Sequence, residues 1–268
     1  MINDRLIPIL QNKKQEIAIL KQLIANDAEH VIARVLLGEK LSFFPRNSFE
    51  LAIARGDFIK IIAEIKRHSP SKGQLATITD PLCLAKEYQA AGASAISILT
   101  DFHGFKGSLE DLKQVKTHLT GIPLLRKDFL LEPIQIAESI VAGADCILLI
   151  ATILGHTLPE MIKVAEQLQI DALVEVHTAA ELELALESGA KIIGVNNRDL
   201  HSFQVNTQCA FDLIQHIPKD IIAVAESGIH DPALAREYYA AGFSAVLVGE
   251  ALVKLESPTA WIHACHVD

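Results

Sequence analysis

No stretch of this sequence is apolar enough for long enough to cross a bilayer. The longest largely apolar run, Cys146 to Leu154, falls far short of the ~18 residues that a spanning helix needs. Met1 to Arg5 do not form a basic segment leading into an apolar one, so no secretory signal is expected and the cytoplasm is the expected compartment. A surplus of positive charge is also missing. The formal net charge of −9 argues against broad binding to nucleic acid or to anionic lipid, both of which need a basic surface. It leaves room for a locally positive pocket that takes an anionic small molecule. The four cysteines, Cys83, Cys146, Cys209 and Cys265, have no paired spacing, which fits a reducing compartment, disfavours a zinc site and reads as core filling. The His263-Ala264-Cys265-His266 cluster has metal-ligand chemistry but lies near the end of the chain, where fraying is usual. No metal and no cofactor are therefore expected. A phosphate loop, a dinucleotide fingerprint and a nucleophile triad are absent as well.

What the sequence does have is a repeat. From Phe58 onward, short apolar runs alternate with longer amphipathic segments, the pattern of βα units around a parallel sheet. The runs are Phe58–Lys66, Ser94–Thr100, Ile122–Lys127, Asp145–Ala151, Ala172–His177, Lys191–Asn196, Asp220–Glu226 and Ser244–Gly249. Helices are predicted between and after them at 80–91, 108–119, 133–142, 157–168, 178–188, 207–217, 231–241 and 250–265. Ala91-Gly92-Ala93, Ala142-Gly143-Ala144, Ser188-Gly189-Ala190 and Ala241-Gly242-Phe243 each join a helix to every second strand, where a residue tolerant of positive φ closes the helix. The fold predicted is an α/β (β/α)8 barrel, a TIM barrel, as one domain over 1–268. Residues 1–45 read as a helical extension, with Leu6, Leu10, Ile17, Leu20 and Ile24 on one side and Lys13, Lys14, Gln15 and Glu16 on the other. The Ser42-to-Ser48 stretch breaks that pattern. Whether the extension caps a pocket or covers the bottom of the fold is left open by the sequence.

In such a barrel the functional site forms at the C-terminal ends of the strands. Period-two reading places Glu64 and Lys66 on the inner face of the first strand, Lys127 on the third, Glu175 on the fifth, Asn196 on the sixth and Glu226 on the seventh. One ion pair at a strand end has an ordinary structural explanation. Five ionisable groups and an amide converging on one mouth point to chemistry, because buried charge is costly unless it is paired or used. Glu226-Ser227-Gly228 and Val248-Gly249-Glu250 follow the seventh and eighth strands, where backbone N–H groups of these barrels commonly hold a phosphate. Lys127 is the best proton donor, its pKa drawn toward working pH by burial or by Lys66 and held back by the carboxylates. Glu175 is placed to act as a separate base. His68, His103 and His201 read as solvated loop residues.

Several blocks carry a resemblance. Ile62-Ala63-Glu64-Ile65-Lys66-Arg67-x-Ser69-Pro70-Ser71, Leu99-Thr100-Asp101 with Phe105-x-Gly107-Ser108, and Arg126-Lys127-Asp128-Phe129 are similar to motifs of the indole-3-glycerol phosphate synthases. So are Leu173-Val174-Glu175-Val176-His177, Gly194-Val195-Asn196-Asn197-Arg198-Asp199-Leu200 and Ala225-Glu226-Ser227-Gly228-Ile229. The blocks run in family order from the N-terminal helices to the last strand.

The resemblance implies a cofactor-free lyase of tryptophan biosynthesis, acting on 1-(2-carboxyphenylamino)-1-deoxyribulose 5-phosphate. It implies Lys127 as general acid, Glu175 and Glu64 at the departing hydroxyl, and Lys66 on substrate anions with a share in the acid role. Asn196 and Arg198 would position the substrate's carboxylate end, with Glu226 and Ser227 also on the substrate. Phe105, Phe129 and Leu148 would form the slot for its aromatic ring, each also having a plain core reading. Ser69, Gly228, Gly249 and the N–H of Glu250 would hold the phosphate, with the Lys72-Gly73 loop closing over it. The expected partner is a phosphorylated small molecule, with no nucleic acid and no membrane, and the expected form is a monofunctional monomer or weak homo-oligomer. A phosphoribosyl isomerase and a non-catalytic metabolite-binding barrel are the competing readings. Neither needs Glu64, Lys66, Lys127 and Glu175 together.

Overall fold

Eight parallel strands close into a barrel in the computed structural model, which describes residues 6–27, 29–41 and 43–266. They are β1 (Lys60–Ile65), β2 (Ala95–Leu99), β3 (Leu124–Lys127), β4 (Cys146–Ile150), β5 (Asp171–Val176), β6 (Ile192–Asn196), β7 (Ile222–Glu226) and β8 (Ala245–Val248). Each pairs with the next, and β8 returns to β1 with Lys60 opposite Ala245 and Ala63 opposite Val248. Every apolar run read from the sequence falls on one of them, seven containing the whole strand and Ala172–His177 missing only Asp171 at the start of β5. The readings made on Met1–Arg5 and on Ser42 lie outside the described residues.

Alternation along the strands builds two cores. Ile62, Leu125, Leu148, Leu173, Val224 and Leu247 fill the barrel interior, while Ile61, Ala63, Ile96, Leu149, Val174 and Ala225 pack outward under the helices. A slip of one residue would exchange these faces, so the apolar pattern itself decides which charged side chains enter the mouth. Asp80, Ser108, Thr178 and Asp231 each accept a backbone N–H at a helix start, relieving donors that the helix leaves unpaired. The four repeated turn glycines all adopt positive φ.

Four expectations need correction, the fourth being the placing of Lys13 on the polar side of the extension. The last predicted helix is two, Glu250–Val253 and Thr259–Ala264, because Pro258 has no N–H to donate and its ring opposes a continuous helix. Cys83 is exposed rather than a core filler, whereas Cys146 and Cys265 are buried. The extension is not helical throughout: α1 (Leu6–Asn26) and α2 (Val31–Leu36) are followed by irregular chain, and a further short helix, α3 (Phe49–Ile53), lies beyond it where the sequence reading places none.

The extension reaches the top of the barrel, and the segment that follows it, from Asn47 to Ile53, covers the bottom. At the bottom, Phe49 and Ile53 are fully buried, and the Asp171 carboxylate accepts the N–H groups of Phe49 and Glu50 at 2.9 and 3.0 Å. Asp145 accepts from Asn47 and Leu124 and pairs with buried Lys116 at 2.7 Å. Removing one partner of such a pair costs about 3–5 kcal/mol. At the top, α1 inserts Leu6 into the mouth. Lys13, assigned to the polar side of α1, is instead buried with Ile9 and Ile17. Its ammonium is satisfied by Asp128 at 3.0 Å and Glu16 at 2.6 Å, which is what permits a lysine on that face. No helix among the described residues is long and apolar enough to cross a membrane.

Candidate active site

The strands deliver their charges to one cavity. Glu64, Lys66, Lys127, Glu175, Asn196 and Glu226 all line it. So do Arg198, Ser227, Phe105, Phe129 and Leu148, together with Gly228, Gly249 and Glu250. Ser69 does not. It lies in a two-residue strand paired with Gly73–Gln74, buried, its hydroxyl accepting the N–H of Lys72.

Two ion pairs organise the floor. Lys66 Nζ lies 2.9 Å from Glu64 Oε1, and Lys127 Nζ lies 2.9 Å from Glu175 Oε2 and 3.3 Å from Glu226 Oε2. The three carboxylates are nearly inaccessible, at 1–2 % exposure. Burial pulls Lys127 down, but Glu175, Glu226 and Glu64 together outweigh it and hold the ammonium well above lysine's ordinary value. The expected drift of Lys127 toward working pH is therefore reversed: three carboxylates against one ammonium settle the sign. Burial pushes Glu175 up, yet Lys127 and His177 overcome it and keep the carboxylate far below its usual range. Glu226 has no such cation of its own. Burial, reinforced by Glu175 and Glu64 and only partly offset by Lys127, pushes it up to about 7. The floor thus holds a fixed ammonium, a fixed carboxylate and a third group that exchanges a proton near neutrality.

The walls differ in character. Phe105 and Phe129, with ring centroids 6.2 Å apart, form an aromatic corner beside Leu148, and Lys66 Nζ lies 5.9 Å from the Phe105 ring centre. Opposite, the chain leaves β7 through Ser227 and Gly228, both at positive φ (64° and 78°). That conformation is uncommon for a serine and marks a tightly determined turn. Across the mouth, Lys72 reaches Glu250 at 2.8 Å, and Arg198 reaches the Phe203 carbonyl at 3.2 Å and Ser71 Oγ at 3.4 Å. These contacts lay the loop after β1 across the cavity rim. His68 Nδ1 is 2.8 Å from the Gly104 carbonyl oxygen, so that histidine is a half-buried loop contact rather than a solvated one.

Two glycines make room for the carboxylates. A Cβ on Gly194 would stand 2.2 Å from Glu226 Oε1, and a Cβ on Gly249 would stand 2.2 Å from Glu64 Oε1. The sequence places Gly249 for backbone approach to a phosphate. The space it leaves for Glu64 is a second reason for glycine there, invisible without coordinates.

The family model of indole-3-glycerol phosphate synthase matches residues 6–265. The chain belongs to the indole-3-glycerol phosphate synthase family. An indole-3-glycerol phosphate synthase of Leifsonia xyli subsp. xyli is 47 % identical over 203 residues, covering 75 % of this chain and 78 % of that one. Another, from Mycobacterium ulcerans, is 47 % identical over 211 residues, covering 78 % and 77 %. Among solved structures, a 3-hexulose-6-phosphate synthase from Salmonella typhimurium superposes with a TM-score of 0.64 at 13 % identity, over 78 % of this chain and 97 % of that one. At that identity the likeness speaks for the barrel alone. Family membership makes the protein a carboxy-lyase of tryptophan biosynthesis with a phosphorylated small-molecule substrate.

Seen as an indole-3-glycerol phosphate synthase, the structure adds residues that the sequence reading left without a role. Leu6, Leu99, Ile150, Leu200, Phe203 and Leu247 complete the apolar lining. Asn197 donates to the Ser227 carbonyl and to Tyr238 Oη, both at 3.0 Å, and accepts from the Ala210 N–H, tying the turn after β7 to two helices. Its place beside Asn196 in a recognisable block was the only available signal.

Proposed function

We propose that the cavity converts 1-(2-carboxyphenylamino)-1-deoxyribulose 5-phosphate to indole-3-glycerol phosphate, carbon dioxide and water, with residues 1–268 working as one domain. The observation that carries the assignment of roles is the position of Lys127, an ammonium held between Glu175 and Glu226 at the base of a pocket with apolar walls. An ammonium fixed there polarises the ribulose carbonyl and protonates its oxygen as the carboxylate-bearing ring carbon attacks. The ring–carboxyl bond then breaks, and its electron pair restores the aromatic ring as carbon dioxide leaves. Dehydration follows. The new hydroxyl takes a proton and departs as water with the push of the ring nitrogen, and a base removes the proton from the adjacent carbon. Glu175 stands beside Lys127 to serve the hydroxyl, and the Glu64–Lys66 pair supplies a second acid–base couple across the floor.

The remaining contacts follow the substrate's chemistry. Phe105, Phe129 and Leu148 bracket the anthranilate ring, and Asn196 and Arg198 face its carboxylate, guanidinium being suited to two-pronged recognition. Gly228, Gly249 and the Glu250 N–H receive the phosphate, with Ser69 supporting the Lys72 turn. The chain is proposed to act as a monomer or weak homo-oligomer. An acid–base enzyme of this kind fits the cytoplasm.

The test is the appearance of indole-3-glycerol phosphate from that substrate, with one carbon dioxide released per product. Binding without turnover would return the chain to the metabolite-binding reading. A second expectation concerns pH. Because Glu226 titrates at about 7, the pocket gains a negative charge as pH rises through neutrality, and an anionic substrate binds less well. KM is expected to rise between pH 6 and pH 8 in the wild type and to rise measurably less in Glu226→Gln, which a steady-state pH series decides.

A further inference from the structure

His177 lines no part of the cavity, yet it stands directly behind the Lys127–Glu175 pair. Its side chain is only 5 % exposed. Nε2 lies 3.3 Å from Glu175 Oε1 and Nδ1 lies 3.1 Å from Glu181 Oε2. Glu181, in the first turn of the helix Ala179–Glu187, is itself fixed by the His177 backbone N–H at 2.7 Å and by the Thr152 hydroxyl at 2.8 Å. Glu175, its Oε1 beside His177, offers Oε2 to Lys127 at 2.9 Å. A continuous file therefore runs Thr152, Glu181, His177, Glu175, Lys127, and only its last two members touch the pocket.

We propose that His177 is a positioning residue for the synthase reaction, a clamp that decides which oxygen of Glu175 faces the pocket and keeps that oxygen turned toward Lys127. This rests on the reading of Glu175 as an acid–base group.

The protonation state follows from the partners. An ionised carboxylate only accepts, so Glu181 requires a proton on Nδ1, while Nε2 stands within ion-pair reach of Glu175 Oε1 at 3.3 Å without a hydrogen bond to it. Thr152 uses its hydroxyl proton on Glu181 and so presents only lone pairs to Nδ1, 3.2 Å away. With Nδ1 committed to Glu181, a second proton on Nε2 makes the ring a cation set between two carboxylates. Burial opposes the charge, but Glu175 and Glu181 prevail and push His177 up to about 10. The groups facing the ring are Glu175 from β5, Glu181 from its helix and Thr152 from the turn after β4. Cys209, on a further helix, faces only the His177 carbonyl. Across the working pH range the ring is thus a permanent cation, a fixed electrostatic support for Glu175 rather than a proton carrier.

The experiment is a double-mutant cycle of His177→Asn with Glu175→Gln, read in kcat, KM and the pH dependence of kcat/KM. His177→Asn is expected to lower kcat about tenfold to a hundredfold with KM changed by less than about threefold. The loss is expected to be larger at the acid end of the profile, because without the neighbouring cation Glu175 accepts a proton more readily. The double variant is expected to be no slower than Glu175→Gln alone, since a clamp has nothing to hold once the carboxylate is gone. Losses that multiply, or an unchanged pH profile with only the thermal midpoint lowered, overturn the clamp and leave His177 as packing. Wild-type activity in Glu175→Gln overturns the acid–base reading itself, and the clamp with it. If His177→Asn does not fold, Glu181→Gln carries the same cycle. It leaves the imidazole in place but weakens its hold, and a loss independent of Glu175 there overturns the proposal equally.

Discussion

Lys127→Ala is expected to lower kcat at least ~10²-fold, and Glu175→Gln to do the same, with KM moving far less than kcat in both. Each removes a proton-transfer partner that acts in the transition state more than in substrate binding. The variants should remain folded for different reasons. Without its ammonium, the Lys127 variant faces two buried carboxylates with uncompensated repulsion, and Glu226, already titrating at about 7, takes up a proton and relieves it. In Glu175→Gln the amide fills the same volume and keeps an oxygen acceptor, and Lys127 retains Glu226 at 3.3 Å. Rates near wild type in Lys127→Ala, measured in single turnover on a sample with an unchanged far-UV spectrum, would transfer the first proton to the Lys66–Glu64 pair.

The second large effect comes from adding a methyl group. Gly249→Ala is expected to reduce kcat/KM by ~10²-fold or more while leaving the thermal midpoint almost unmoved. The new Cβ would stand 2.2 Å from Glu64 Oε1 and 3.0 Å from its Cδ. Those atoms end a flexible side chain and swing away, while the Glu64 Cβ, 3.2 Å off, needs to give by only a few tenths of an ångström. What is lost is the placement of Glu64 and its 2.9 Å contact with Lys66. Gly249 has a negative φ of −117°, so alanine meets no backbone penalty. Gly194→Ala should act in the same way through Glu226. A large drop in thermal midpoint with kcat/KM preserved would show that these glycines serve the strand ends and not the carboxylates.

The sequence disclosed the barrel because its information is periodic. Eight apolar runs and four repeated glycine turns each carry the same message, and the identity of Glu64, Lys127, Glu175, Asn196 and Glu226 as inward residues follows from counting by two along each run. What the sequence could not disclose depends on distances between segments remote in the chain. The sign of the Lys127 shift turned on how closely three carboxylates from three strands approach it. Lys13 looked solvated because its burial is compensated by Asp128, which no local pattern connects to it. Gly194 looked like an ordinary strand glycine, and His177 like the end of a motif. The split of the last helix at Pro258 was readable in principle, since a proline in a helix interior is a local signal.

The contact between Lys13 and Asp128 also bears on the order in which the molecule is assembled. A helix made first in the chain is seated by a carboxylate about a hundred residues further along, and closing so long a loop has an entropic cost that local helix formation does not offset. The cavity therefore cannot be finished until the third strand is in place. Three consecutive residues at the end of that strand then pull in three directions: Arg126 outward to Glu138 at 2.8 Å, Lys127 inward to Glu175, and Asp128, just past the strand, upward to α1. A single tripeptide thus serves as rivet, reagent and hinge-pin, and the competence of the pocket reports on whether the earliest and the middle parts of the chain have found one another.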